Sequence, residues 1–291
     1  MPGARALLED TERGLKFECL DHGEAEFLFE ETFTRSSYCR GGVTVPKRGA
    51  PLIVDCGANI GVFSLYALWR NPRSKILAIE PAPLAYAALE RNLIDHANVA
   101  CVQAVLLERP RRTTLHYYPT APGESTTNPD ERRMQRKRLA AAMEGEDEDD
   151  DGKGDGSDDD GEAVVVEAQT LSQVLDAARL GAQTIDLLKV DVEGDELKVL
   201  QGLTADRWPS VRQVVAEVHN VDDRLEHVCT LLHGRGFRVT VEAQRGGTVR
   251  GYRMVVPESL SLFYVYAVRP TEAVRSSARL NKGVSLNICE E

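Results

Sequence analysis

No stretch of this 291-residue chain approaches the roughly 20 consecutive apolar residues that a membrane span needs. Residues 1–14 carry charges where a secretory leader would place an apolar run. No membrane partner is therefore expected, and the chain reads as a soluble, cytoplasmic protein. The six cysteines (Cys19, Cys39, Cys56, Cys101, Cys229 and Cys289) form no C-x-x-C pair and no close His/Cys cluster. A structural zinc site and a disulfide framework are thus not expected, and the thiols read as reduced. No segment repeats at a fixed period. Net charge is also missing from most of the chain. The formal charge is −11, but residues 144–162 alone hold 12 acids and one lysine, which leaves 34 charges of each sign elsewhere. The body is neutral, and no nucleic-acid partner is expected from it.

What is present is the text of one α/β domain. From Leu52 onward, short β-branched runs alternate with amphipathic stretches, the pattern that a parallel sheet with crossover helices imposes. The spacing predicts strands at 52–55, 75–80 and 99–103, with helices at 62–69 and 83–95 between them; Pro83 opens the second helix. Further on it predicts a strand at 164–167, a helix at 171–178 behind a Thr170/Gln173 capping box, and strands at 185–190 and 211–218. Helices follow at about 195–201 and at 222–235, the latter ended by Gly236. Strands at 237–243 and 262–267 have no helix between them, so they should pair antiparallel at one edge. The domain is expected at 46–270, after an N-terminal helical or irregular extension at 1–45 and before a C-terminal tail at 271–291. Between its halves lie a basic helix at 130–143, with Arg132, Arg133, Arg136, Lys137 and Arg138, and an acidic insertion at 144–162 too poor in apolar residues to order.

The informative run is LIVDCGANIG at residues 52–61. A strand that enters a turn containing Gly57 and Gly61, and then a helix, aims backbone N–H groups and a positive helix end at a closely approaching ligand. A dinucleotide would require G-x-G-x-x-G, but Asn59 replaces the middle glycine and Asp55 stands at the strand end. A negative charge is unfavourable beside a pyrophosphate and favourable beside the sulfonium and ammonium of S-adenosylmethionine. Glu80 ends the next strand, where an acid can accept hydrogen bonds from both ribose hydroxyls, and Pro81 then turns the chain away. By the same topology Gln103 and Ala104 should lie near the adenine.

These residues carry a resemblance. The runs DCGANIG (55–61), AIEP (78–81) and DLLKVDVEG (186–194) resemble the FkbM family of S-adenosylmethionine-dependent O-methyltransferases, found beside or inside polyketide and nonribosomal-peptide assembly lines. The likeness runs from about Glu26 to Val268, and YYP (117–119), GEST (123–126) and RQVVAEVH (212–219) look like the synthase-associated form. The resemblance implies a Rossmann-like class I methyltransferase fold, a mostly parallel seven-stranded sheet with an antiparallel edge strand. It also implies that Asp55, Gly57, Asn59, Gly61 and Glu80 hold the cofactor, and that the acceptor is a hydroxyl on a small molecule or a carrier-bound secondary metabolite. Two features depart from the family pattern: the acidic insertion, and Val105 where a glycine is expected.

Transfer to oxygen is an in-line displacement in which the protein aligns the reactants and a base removes the hydroxyl proton. Asp191 and Glu193 follow one predicted strand while Glu217, His219 and Asn220 end its neighbour, so these side chains should meet at one sheet edge. Asp191, Glu193 and His219 are the catalytic candidates, with His219 favoured as base because its ordinary pKa lies nearest neutrality. Asp191, Glu217 and Asn220 also offer hard oxygens to a magnesium ion, although Lys189 can serve these acids as an internal counter-ion. Residues 117–138 are positioned as a lid, in which Tyr117, Tyr118 and residues 125–128 face the acceptor and the basic helix attracts an anionic carrier group. Two rival readings remain: a nicotinamide-dependent oxidoreductase on a similar sheet, and a methyltransferase-like binding module without turnover.

Overall fold

The computed structural model describes residues 6–119, 121–143, 161–244, 247–249, 252–254 and 262–270. The chain opens on a hairpin, β1 (Ala6–Asp10) and β2 (Leu15–Cys19), followed by helix α1 (His22–Phe29) and a π-helical turn (Glu30–Thr34). Then come β3 (Leu52–Cys56), α2 (Val62–Arg70), β4 (Lys75–Ile79), α3 (Pro83–Leu93) and β5 (Val99–Val102). A ribbon of β6 (Arg111–Tyr117) and β7 (Glu162–Ala168) brackets α4 (Pro129–Met143). The second half runs α5 (Leu171–Ala177), β8 (Ile185–Val190), α6 (Glu196–Gln201), β9 (Gln213–His219), α7 (Arg224–Gly234) and β10 (Arg238–Ala243). A small hairpin of β11 (Gly247–Val249) and β12 (Tyr252–Met254) precedes β13 (Leu262–Val268).

The central sheet has seven strands in the order β10-β13-β9-β8-β3-β4-β5. β13 runs antiparallel to both β9 and β10, and the pairings from β9 through β8, β3 and β4 to β5 are parallel. The antiparallel strand therefore lies one place in from the edge. Both faces of the sheet are covered, as parallel strands require, and side-chain alternation along β3 shows it. Ile53 joins the core under α2, α3 and the N-terminal segment, while Leu52, Val54 and Cys56 join the core under α5, α6 and α7. The strand order reverses between β3 and β8, and an open α/β sheet forms its ligand crevice at such a switch point, outside the carboxyl ends of the strands.

The structure departs from the sequence expectations in three places. The segment expected as a helical or irregular extension holds α1 and the π-helical turn, but residues 6–45 open with a hairpin, and Phe17, Phe33, Tyr38, Val43 and Val45 are buried in the main core. The run at 164–167 is a strand, but it pairs with β6 outside the central sheet. A β-branched run signals a strand without saying which partner it takes. The acidic insertion expected at 144–162 falls outside the described residues except for Gly161 and Glu162, and Glu162 opens β7. The tail at 271–291 also lies outside them. The Thr170/Gln173 capping box is present in both directions. No described helix is long and apolar enough to cross a membrane.

Candidate active site

A crevice of about 880 Å³, including its open mouth, lies over the carboxyl ends of β3, β4 and β8. Its floor is the turn after β3. Gly57 has φ +77, and a Cβ there would sit 1.6 Å from the Asp191 carbonyl oxygen, so only glycine lets this turn pass the end of β8. The Gly57 and Ala58 amides donate to the Ile79 carbonyl at 2.9 and 3.0 Å, tying the turn to β4. Asn59 adopts φ +49, and its amide Nδ2 donates to Glu24 Oε1 at 2.9 Å. Its Oδ1 is buried without a partner at the crevice wall. Gly61 caps α2 from the left-handed region at φ +94.

Glu80, directly after β4, lines the crevice and is 6 % exposed. Its Oε2 accepts from the Asn59 amide at 2.9 Å and its Oε1 from the Ala82 amide at 2.8 Å. Burial pushes its carboxyl up to about 7, and the two backbone donors work against the rise. Pro81 and Ala104 also line the crevice, together with Val105, Leu106 and Leu115. Gln103 does not: it is exposed, and its Nε2 donates to the Pro81 carbonyl at 3.2 Å.

Asp55 also lies outside the crevice lining, fully buried one layer below it. Its Oδ2 accepts from the Ser64 hydroxyl at 2.8 Å, and its Oδ1 lies 3.3 Å from the Lys189 ammonium, its register neighbour on β8. Lys189 donates to the Gly57 carbonyl at 2.9 Å and lies 3.2 Å from Asp191 Oδ2. Burial alone would depress this lysine, but the carboxylates of Asp191 and Asp55 hold it well above its ordinary value. One internal cation thus pins the glycine turn to the end of β8.

The family profile described as Methyltransferase FkbM domain matches residues 55–239, the stretch that supplies the floor and most walls of this crevice. The chain belongs to the FkbM methyltransferase family. It is an S-adenosylmethionine-dependent methyltransferase. The 31-O-demethyl-FK506 methyltransferase FkbM of Streptomyces tacrolimicus is 38 % identical over 223 residues, covering 76 % of this chain and 84 % of that protein. Methyltransferase sdnD of Sordaria araneosa is 37 % identical over 235 residues, covering 78 % and 87 %. The AMB antimetabolite synthetase AmbE of Pseudomonas aeruginosa is 32 % identical over 94 % of this chain, which spans 13 % of that much longer protein.

In this FkbM-family chain the remaining candidates separate by depth. Asp191 and Glu193 line the crevice, whereas His219 lies behind them, 4 % exposed. His219 Nε2 is 3.5 Å from Glu193 Oε2 and Nδ1 is 3.3 Å from Glu196 Oε1. Burial opposes its protonation, but the Glu196 contact and the charges of Glu193, Glu196 and Asp191 lift it to about 9. The imidazole therefore holds its proton at neutral pH, contrary to its favoured role as a free base. Glu193 is the better placed group. Its side chain is 33 % accessible, and its backbone sits at φ +54, a strained conformation for a residue with a Cβ. Desolvation by the crevice walls pushes its carboxyl up to about 8, against the pull of the His219 charge.

The magnesium candidates do not converge. Asp191 Oδ2 is occupied by Lys189 and by the Tyr38 hydroxyl at 2.9 Å. Asn220 Oδ1 accepts from the Leu225 amide at 3.1 Å, at the start of α7. Glu217 is buried and its carboxyl is raised well above the usual range, first by burial and then by Asp191, Glu31 and Glu193. Among the described residues no group of three or more His, Cys, Asp or Glu is arranged to hold a metal ion. These residues do not fit magnesium, and Lys189 already supplies the positive charge.

The segment before α4 forms one wall of the crevice. Ser125, Thr126 and Thr127 line it, with the Thr126 hydroxyl donating to the Glu193 carbonyl at 2.7 Å and the Thr127 hydroxyl to Asp195. Asn128 Nδ2 reaches Asp195 at 3.0 Å. Tyr117 and Tyr118 are buried instead of facing the crevice, and the Arg132 guanidinium lies 3.3 Å over the Tyr118 ring and 2.8 Å from Glu124. Leu28, Thr32 and Tyr38, which no sequence expectation named, also line the crevice. They precede the glycine turn and belong to no motif, so no local signal points to them.

Proposed function

We propose that this enzyme transfers the methyl group of S-adenosylmethionine to a hydroxyl oxygen of a small-molecule or carrier-bound secondary metabolite, with Glu193 as the base. The single observation behind the choice of oxygen is Glu193 itself: a carboxylate that reaches the crevice with its pKa lifted to about 8, close to the operating pH at which a general base is most effective. The S-adenosylmethionine fits the residues present. Glu80 keeps lone pairs for a diol beyond its two backbone donors, and Asn59 Oδ1 is a buried acceptor awaiting a donor. The apolar edge of Ala104, Val105, Leu106 and Leu115 suits a purine ring. When bound, the cofactor supplies an electrophilic methyl on a cationic sulfur.

The chain supplies the rest. Glu193, once ionised, accepts the hydroxyl proton. The His219 cation at 3.5 Å stabilises its charged form and fixes its orientation. Asp191 presents negative charge toward a cationic ligand, and residues 125–127 form one side of the crevice. The relative named as acting on 31-O-demethyl-FK506 supports oxygen as the target, and the likeness to AmbE, a synthetase, supports a carrier-bound acceptor as one option.

Mass spectrometry of candidate acceptors incubated with enzyme and deuterated-methyl donor tests the reading. The label is expected on a hydroxyl oxygen, and Glu193→Gln should lower kcat by about 10²- to 10⁴-fold, the usual contribution of a general base. Label on nitrogen or carbon, or an undiminished rate in Glu193→Gln, would defeat it.

A further inference from the structure

Leu28, Thr32 and Tyr38, ahead of the matched stretch 55–239, also line the crevice, and Tyr38 belongs to a buried hydrogen-bond chain. Tyr38 is 3 % exposed and lines the crevice. Its hydroxyl lies 2.9 Å from Asp191 Oδ2 and 3.1 Å from Glu31 Oε2. A phenol has one proton, so with both acids ionised it could only split that proton between them, whereas a proton on one of the acids gives each contact a full hydrogen bond. Asp191 Oδ2 is ion-paired with the Lys189 ammonium at 3.2 Å. Glu31 is 3 % exposed and forms no ion pair among the described residues; its Oε1 accepts from the Tyr264 hydroxyl and from Gln244 Nε2 at 3.2 Å. The proton therefore belongs on Glu31 Oε2. The chain runs in one direction, from the Glu31 acid to the Tyr38 oxygen and from the Tyr38 hydroxyl to the Asp191 carboxylate.

We propose that Tyr38, backed by a protonated Glu31, is a positioning residue that holds Asp191 through Oδ2 and keeps its other oxygen charged and available to the cationic sulfur of S-adenosylmethionine. This rests on the reading that S-adenosylmethionine fills the crevice. Together with Lys189, Tyr38 occupies Oδ2 and leaves Oδ1 as the free face of the carboxylate. The ring is fixed independently of its hydroxyl, edge-on to Phe63 at 5.4 Å and to Tyr264 at 5.8 Å. Removing only the oxygen should therefore release Asp191 without opening a cavity. Because Tyr38 precedes the glycine turn and lines the crevice, the N-terminal segment acts as part of the binding site.

The test compares two ligands that differ by the sulfonium methyl and its charge. Isothermal titration of the full chain with S-adenosylmethionine and with S-adenosylhomocysteine is done for the wild type, Tyr38→Phe, Glu31→Gln and Asp191→Asn. Tyr38→Phe should weaken S-adenosylmethionine about tenfold, as loss of a hydrogen bond to a charged group does, and S-adenosylhomocysteine about twofold or less. Glu31→Gln should match the wild type for both ligands, because an amide N–H can donate where the acid O–H did. Adding Tyr38→Phe to Asp191→Asn should weaken binding no further than Asp191→Asn alone. Equal losses for both ligands, no loss for either, or damage from Glu31→Gln equal to that from Tyr38→Phe would overturn the proposal. If Tyr38→Phe does not fold, Asp191→Asn decides through the same ratio of ligand losses. A wild type that binds neither ligand would instead overturn the occupancy of the crevice, and the proposal with it.

Discussion

Replacing Glu80 by alanine separates a cofactor ligand from a brace of the glycine turn. The carboxyl already satisfies the Asn59 and Ala82 amides, at 2.9 and 2.8 Å. Alanine leaves both donors unmet in a site where the residue is 6 % exposed. Hydrogen bonds to a charged group are worth about 1.5–3 kcal/mol each and neutral ones about 0.5–1.5 kcal/mol. With the carboxyl pushed up to about 7, a neutral solution holds both forms, so the stability loss should fall between those ranges. Two ribose hydroxyls would lose the same acceptor, a further 1–3 kcal/mol or so in binding, which is roughly 5- to 150-fold in Kd. Titration with S-adenosylhomocysteine at pH 8, where the carboxylate is mostly ionised, reads the binding loss, and thermal melting of the empty protein reads the bracing loss. A Kd within twofold of wild type, alongside a lowered Tm, would show that Glu80 only braces the turn.

The raised carboxyls set the pH dependence. Glu80 and Glu193 have folded-state values of about 7 and 8 against an ordinary 4.5, so their contribution to stability is complete below pH 4.5 and is lost as pH rises through 7 and 8. His219, lifted to about 9 from 6.5, adds a loss in the same direction between those values. The Tm of the empty protein should fall from pH 6 to 9, with a shallower slope in Glu193→Gln; a Tm that rises over this range would contradict the assignment. Since Glu193 must be ionised to accept a proton, kcat/KM should climb to a plateau with an apparent pKa near 8, and a flat profile would remove it as base. Lys189→Met leaves Asp55 and Asp191 without their shared cation, and breaking such a buried pair should cost about 3–5 kcal/mol by chemical denaturation; a loss under about 1 kcal/mol would refute the internal counter-ion. Gly57→Ala forces a Cβ to 1.6 Å from the Asp191 carbonyl oxygen at φ +77, so the variant should lose most of its soluble yield or cofactor affinity, whereas a protein that melts and binds like the wild type would refute the close approach.

The central sheet was legible because its strands are short apolar runs punctuated by glycine, proline and caps, signals that act within a few residues. Glu80 and Gly57 were legible for the same reason: each stands at a fixed offset from a strand end. Asp55 shows the limit of that logic. The motif places it at the strand end, but side-chain direction turns it into the layer below, where Lys189 and Ser64 take its oxygens. His219 shows a second limit, since an ordinary pKa near neutrality says nothing once Glu196 and Glu193 lie within 3.3 and 3.5 Å. Tyr38 and Glu31 show a third. Tyr38 reaches Asp191 across 153 residues of sequence, and Glu31 bonds Tyr38 behind it, contacts created only by tertiary packing of the N-terminal segment against the carboxyl ends of the strands.

The most direct measurement is a crystal structure of the chain with S-adenosylhomocysteine. The ribose hydroxyls are expected within hydrogen-bonding distance of Glu80, the purine against Ala104, Leu106 and Leu115, and the sulfur on the side of Asp191 and Glu193. A nucleoside bound elsewhere on the chain, or seated in the crevice with its ribose turned away from Glu80, would contradict that expectation.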